Sequence, residues 1–173
     1  MKLIAIRHLI TLWNQKGLLQ GRTDIELSDD PQNQILIDKL RGKLVDFKFD
    51  KVIVSPMVRA VQTAEGLGYS DIEIEPLVSE ISFGRFEGKP KKEMMDTLGD
   101  AWINTPKTTE LGPELADLEE RVKLFLAGLN GQTTLLISHG AYIRGLTSVV
   151  NLGSINQMNQ MEFLNGELKE FDL

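Results

Sequence analysis

Hydrophobic and polar positions change period several times along this chain, and each change marks an element boundary. Residues 2–6, apolar from Leu3 onward and rich in isoleucine, read as a buried strand. Residues 9–30 keep no sustained period and read as a long loop, of the kind that is usually functional or disordered. From Asn33 the apolar positions Leu36, Leu40, Leu44 and Phe47 recur at helical spacing, so 33–46 reads as an amphipathic helix with Pro31 at its approach. Lys51 to Val54 is a second short strand. Ser55-Pro56 follows as an expected N-cap with proline at the first helical position, opening a helix from Met57 to about Leu67 that Gly66 or Gly68 closes. Ile72 to Ile74 is a candidate third strand.

The stretch 80–113 is less regular, with one helix expected near 90–99, and reads as a covering segment over the strand ends. Glu114 to Leu129 is the clearest helix, since Leu115, Leu118, Val122, Phe125, Leu126 and Leu129 share one face. Thr133 to Ile137 is a further buried strand and Tyr142 to Val150 a further helix. Met161 to Leu164, the turn at Asn165-Gly166 and Leu168 to Phe171 form a hairpin signal. Strands alternating with helices predict an α/β three-layer sandwich: a mainly parallel sheet, helices on both faces, and an antiparallel strand from the C-terminal hairpin.

Composition narrows the chemistry. A chain of 173 residues, 42% hydrophobic and 25% charged, fits one domain spanning 1–173. It has no cysteine, which excludes disulfides, a thiolate nucleophile and zinc–cysteine sites. With only two histidines, a histidine-rich metal site is not expected either. A formal charge of −6 argues against coating nucleic acid or an anionic membrane, partners that are bound through a basic surface. One basic pocket stays compatible with it, because surface fields are screened beyond about 8 Å. The first apolar stretch is too short for a signal peptide, and no run approaches the roughly 20 apolar residues of a membrane span. The expected location is the cytoplasm. The terminal hairpin offers an edge on which two copies could pair as a homodimer, a state the sequence leaves open.

Three of the expected strands end in polar clusters: Arg7-His8, then Ser55 with Arg59 in the following helix, then Ser138-His139. Ligands of open α/β sheets bind outside the carboxyl ends of the strands, so the clusters should meet. Arginines beside a helix N-terminus match anionic oxygens, and the adjacent positive charge favours a neutral, nucleophilic imidazole. That combination suits phosphoryl transfer to histidine. An isolated histidine at a strand end more often makes an ordinary hydrogen bond, and an arginine in a first helical turn opposes the helix dipole unless an anion is near. Trp13 and Trp102 read as packing residues.

These residues also resemble the histidine phosphatase (phosphoglycerate mutase-like) superfamily, whose signature is Arg-His-Gly followed by Glu-Thr-x-Trp-Asn. Arg7-His8-Leu9-Ile10-Thr11-Leu12-Trp13-Asn14 matches it at Arg, His, Thr, Trp and Asn. The resemblance continues at Leu19-Gln20-Gly21-Arg22-Thr23-Asp24, at Ser55-Pro56-Met57-Val58-Arg59, at Glu80-Ile81-Ser82-Phe83-Gly84-Arg85-Phe86-Glu87-Gly88 and at Ser138-His139-Gly140, in the family's order. It implies that His8 becomes phosphohistidine, that Arg7, Arg59 and His139 hold the phosphoryl oxygens, and that Glu80 is the general acid, with Glu87 as competitor for that role. It further implies that Asn14, Gln20, Arg22 and Thr23 line the pocket. No metal or organic cofactor is implied.

The implied function is hydrolysis of a small phosphorylated metabolite. The chain's length favours hydrolysis over mutase chemistry. A catalytically impaired relative that keeps the anion pocket as a binding or regulatory protein is the alternative. Leu9 bears on that choice: it stands where the signature has glycine, and its side chain could crowd the phosphate, tilt His8 or narrow the substrate range. A negative φ at Leu9 would remove the backbone conflict. Ile10 for glutamate, Pro31 for glycine and Leu115 near a usual serine are further departures.

Overall fold

A computed structural model describes all 173 residues. Five strands, β1 (Lys2–Arg7), β2 (Lys51–Val54), β3 (Glu73–Ile74), β4 (Thr133–Ser138) and β5 (Leu168–Asp172), form one sheet in the order β3-β2-β4-β1-β5. All neighbouring pairs are parallel except β1 with β5. The helices are α1 (Leu12–Gln15), α2 (Pro31–Leu44), α3 (Val58–Leu67), α4 (Lys91–Leu98), α5 (Asp100–Asn104), α6 (Gly112–Gly128) and α7 (Gly140–Leu152). None is long and apolar enough to cross a membrane.

The strands alternate between two cores, as a period of two requires. Leu3, Ala5 and Leu136 belong to the larger core with α6 and α7, whereas Ile4, Ile6, Leu135 and Ile137 belong to the smaller one with α2 and α3. These side chains are fully buried, each leucine and isoleucine contributing about 1.5–3 kcal/mol relative to an exposed position. This is the α/β sandwich expected, with helices on both faces.

Several local expectations are revised. Helix α2 begins at Pro31 rather than Asn33, because the Asp30 carboxylate accepts from the Gln32 N–H at 2.8 Å as its N-cap. The loop after β1 contains α1, closed by a capping box between Thr11 and Asn14. Buried Asn33 sews both ends of that loop together: its side chain accepts from Ile10 N and donates to the carbonyls of Ile10 and Ser28. Helix α3 starts at Val58 with Met57 as its cap residue, and Ser55-Pro56 lies before it, since the Ser55 hydroxyl is engaged by His139 at 2.7 Å. Gly68, in the left-handed conformation at φ 95°, ends α3 as anticipated. The covering segment carries two helices instead of one, separated at Gly99.

The C-terminal hairpin does not form. Met161–Leu164 is not a strand, because side chains take the groups a ladder would need: Arg7 donates to the Phe163 carbonyl at 2.5 Å, and the Glu167 carboxylate accepts from Leu164 N at 2.6 Å. The antiparallel strand is real, but β5 pairs with β1.

Glu119 on α6 ties the covering segment to the larger core. Its carboxylate accepts from Lys107 at 2.6 Å, Lys123 at 2.8 Å and the Ile155 N–H at 3.0 Å. Burial alone would raise its pKa, but these hydrogen bonds outweigh it and hold the carboxyl at about 2, below the ordinary 4.5. A depressed folded pKa stabilises the fold above pH 4.5 and withdraws that stability as pH falls towards 2. Urea midpoints measured across this window should therefore fall steeply for the native chain. Glu119→Gln should start lower, by about 1–3 kcal/mol, and show a flatter acid limb; parallel limbs would contradict the assignment.

Candidate active site

The site is set by the register of the two central strands. β1 and β4 pair with Arg7 opposite Ser138, so the residues that follow, His8 and His139, emerge side by side with ring centroids 5.3 Å apart. The His8 N–H bonds to the Ser138 carbonyl at 3.0 Å and extends the ladder one step into the site. Arg59 arrives from the first turn of α3 and Glu80 from the segment after β3. With Arg7 and His8 these two border a cavity of about 250 Å³ at the carboxyl ends of the strands.

His8 Nδ1 lies 2.7 Å from the Leu9 carbonyl. A carbonyl only accepts, so Nδ1 carries the hydrogen, and Nε2 keeps a lone pair on a residue that lines the cavity. Burial, reinforced by the Arg7 and Arg59 charges, pushes the His8 pKa well below 6.5; burial with Arg59, His8 and Arg7 does the same for His139. Both imidazoles are neutral at physiological pH. His139 is fully buried beside His8, with Nε2 on Ser55 and Nδ1 without a partner. If the Ser55 hydroxyl donates to Nε2, Nδ1 is left as a free donor.

The arginines are held by carbonyls, not carboxylates. Arg59 donates to Gly21 O at 2.7 Å and Thr23 O at 3.0 Å, and Arg7 to Phe163 O. Each keeps a buried Nε–H with no acceptor. Burial and the nearby Arg144 lower Arg7 to about 10, which leaves it charged. Two buried guanidiniums with idle donors beside neutral histidines make this a candidate oxyanion site, because such donors are costly to bury unsatisfied. Gly140 belongs to the same design: a β-carbon there would stand 3.3 Å from the Arg7 guanidinium.

The amides follow the same logic. Asn14 Oδ1 accepts from Thr11 and Asn165, and Gln20 Oε1 accepts from the Thr11 hydroxyl at 2.9 Å. Their oxygens being occupied, both amides offer N–H groups to the cavity they line. Glu80 is anchored by three backbone donors: Oε1 accepts from Ile81 and Tyr142, and Oε2 from Ala141 at 3.0 Å, at the first turn of α7. Glu87 is committed elsewhere. It accepts from Arg22 N, Phe83 N and the Thr23 hydroxyl, and so latches the loop at Gly21, where φ is 53° and a β-carbon would collide with it.

Of the residues singled out from sequence, Arg7, His8, Asn14, Gln20, Arg59 and Glu80 line the cavity. His139 does not line it, but its ring lies 5.3 Å from that of His8. Arg22 and Thr23 do not line it: Thr23 is spent on Glu87, and Arg22 donates to Glu80 O at 3.3 Å while facing Glu114 and Asp117. Sequence reasoning overlooked Asn165, whose amide nitrogen lies 3.0 Å from His8 O and 3.2 Å from Leu9 O. It also overlooked Arg144, although its place one helical turn after Gly140 signals a shared face. No group of three or more His, Asp or Glu side chains could hold a metal ion.

Leu9 does not touch the cavity. Its side chain is fully buried in the smaller core among Ile6, Leu40 and Ala60, and its φ is not positive.

This geometry defines an α/β protein with a histidine-centred oxyanion site at its strand ends. The chain belongs to the histidine phosphatase superfamily (branch 1), whose family model matches residues 3–173. It is 27% identical over 161 residues to a putative phosphoserine phosphatase 2 of Hydrogenobacter thermophilus, covering 86% of this chain and 78% of that one. An acid phosphatase of Mycobacterium tuberculosis is 29% identical over 150 residues, covering 84% and 73%. Among solved structures, a phosphoserine phosphatase of Entamoeba histolytica in complex with 3-phosphoglyceric acid superposes with a TM-score of 0.82 at 26% identity, over 99% of this chain and 90% of that one.

Two outcomes follow from this arrangement. Leu9→Ala should cost about 2–5 kcal/mol of unfolding free energy in urea without strengthening phosphate binding; tighter binding would mean that the leucine does crowd the anion. The ring-proton NMR shifts of both histidines should stay flat from about pH 8 to about 6, whereas movement centred near 6.5 would contradict the neutral, buried pair.

Proposed function

We propose that the chain is a phosphomonoester hydrolase that works through a phosphohistidine on His8 and acts on a small phosphorylated metabolite. The observation that carries this reading is the Nδ1–H bond to the Leu9 carbonyl, which leaves Nε2 as a neutral nucleophile on a cavity that Arg7 and Arg59 also line. In the first step Nε2 attacks phosphorus and the bond to the ester oxygen breaks. The leaving oxygen takes its proton from Glu80, and Arg7, Arg59 and His139 donate to the equatorial oxygens, whose charge they stabilise. In the second step Glu80, now a carboxylate, removes a proton from water. The hydroxyl attacks phosphorus, the P–N bond breaks, and phosphate leaves with Nε2 restored. The relatives named as phosphoserine and acid phosphatases support hydrolysis as the outcome.

The test is turnover of 4-nitrophenyl phosphate together with rapid quench after a phosphorus-labelled substrate. The native chain should hydrolyse the ester and trap acid-labile label on His8. His8→Ala should lose about 10³-fold or more in kcat and all of the label, and Glu80→Gln about 10²–10⁴-fold. Absence of turnover and label in the native chain would favour a phosphate-binding protein, and full activity in His8→Ala would refute the mechanism.

A further inference from the structure

Glu80 lies in a stretch that no ladder or helix holds, since residues 79–83 belong to no regular element. Side chains do the holding. Four successive carbonyls each accept from one: Leu77 O and Ser79 O from Arg121 Nη1, both at 2.8 Å, Val78 O from the Ser138 hydroxyl at 2.7 Å, and Glu80 O from Arg22 Nε at 3.3 Å. The Glu80 carboxylate is taken up separately, by the Ala141 and Tyr142 N–H groups of α7.

Arg121 stands on α6 with Glu114 and Asp117, which share its face at helical spacing. Glu114 accepts from Ser82 N at 3.3 Å, on the other side of Glu80. Asp117 accepts from Arg121 Nε at 2.7 Å and lies 3.8 Å from Arg22 Nη2. Helix α6 therefore grips the chain both before and after Glu80, while α7 takes the carboxylate. Arg121 is the fixed member of this grip: its side chain is 12% exposed, against 50% for Arg22. Its planar fork reaches two carbonyls from one nitrogen while Nε is occupied, a geometry that lysine does not reproduce.

We propose that Arg121 is a positioning residue for Glu80: it fixes the backbone that carries the carboxyl, so that proton delivery to the leaving oxygen depends on α6. This inference rests on the hydrolase reading, in which Glu80 supplies that proton. A small displacement of a catalytic group costs rate out of proportion to any loss of binding.

The experiment compares kcat/KM for phenyl phosphate and 4-nitrophenyl phosphate, which share a ring and differ in the basicity of the leaving oxygen. The more basic phenolate needs the proton more. This ratio covers the steps up to cleavage of the P–O bond and leaves out the water step, in which Glu80 acts whatever has left. Arg121→Lys should lose about tenfold or more on the phenyl ester and about threefold or less on the nitrophenyl ester. Glu80→Gln should show the same bias. Glu120→Gln, an exposed neighbour on α6, should change neither ester. Asp117→Ala, at a half-exposed position, frees Arg121 Nε without removing the guanidinium and tests the same point if Arg121→Lys does not fold; it should lose at least about threefold more on the phenyl ester. A merely structural role would lower both esters equally, and equal losses, or none, in Arg121→Lys and Asp117→Ala while Glu80→Gln keeps its bias would overturn this inference alone. No hydrolysis of the phenyl ester by the native chain, or no bias in Glu80→Gln, would instead overturn the reading of Glu80 as the acid and this inference with it.

Discussion

The structure depends on the register between β1 and β4. Pairing Arg7 with Ser138 sends both histidines out of the sheet at one level, 5.3 Å apart. A slip of one residue would exchange the two faces of β1, carrying Ile4 and Ile6 away from α2 and α3 and turning Leu3 and Ala5 towards them. Each core thus enforces the register that the chemistry needs. The His8 backbone continues the ladder onto the Ser138 carbonyl, so the residue whose imidazole lines the cavity is as well anchored as the strand before it.

That rigidity is what allows the site to hold unsatisfied groups. Arg7, Arg59 and Arg144 each keep a buried Nε–H without an acceptor, and His139 keeps a free Nδ1. A carboxylate placed beside any of these arginines would satisfy it and also block the anion. The chain uses backbone carbonyls instead: Gly21 and Thr23 for Arg59, Phe163 for Arg7. A carbonyl orients a guanidinium without cancelling its charge, so the cation remains available to a ligand. The cost is borne by the fold, since desolvated guanidiniums without a carboxylate in direct contact oppose folding. The loops that supply those carbonyls are therefore part of the binding site even where their side chains are not. Thr23 shows this most plainly: its carbonyl holds Arg59, while its hydroxyl is spent on Glu87.

What could be read in the sequence follows from the range of each interaction. Apolar runs and helical faces are local, so β1, β2, β4 and α6 were legible, and the placement of polar clusters at strand ends brought Arg7, His8 and Arg59 to one cavity, whereas Glu80 was legible only through the family resemblance. What failed was decided by distant partners. Met161–Leu164 alternates like a strand but loses its ladder to Arg7 and Glu167, and Ser55 looks like a helix cap but gives its hydroxyl to His139. The Thr11–Asn14 box was missed because asparagine stands where a capping box usually has Glu or Gln. Asn165 read as a turn residue because turn chemistry is local, while its contact with His8 spans most of the chain.

Leu9 joins these threads. What His8 requires of the next residue is a carbonyl, placed to take the Nδ1–H and fix the tautomer, and any residue with ordinary φ supplies one. The Leu9 peptide is held from three sides: its N–H donates to the Thr63 hydroxyl at 3.0 Å, its carbonyl accepts from Asn165, and its side chain is buried in the smaller core. Glycine in the family signature provides the same carbonyl with more backbone freedom. Leucine trades that freedom for an apolar anchor in the smaller core, so the departure restrains the carbonyl that orients the His8 ring and adds no side chain to the cavity.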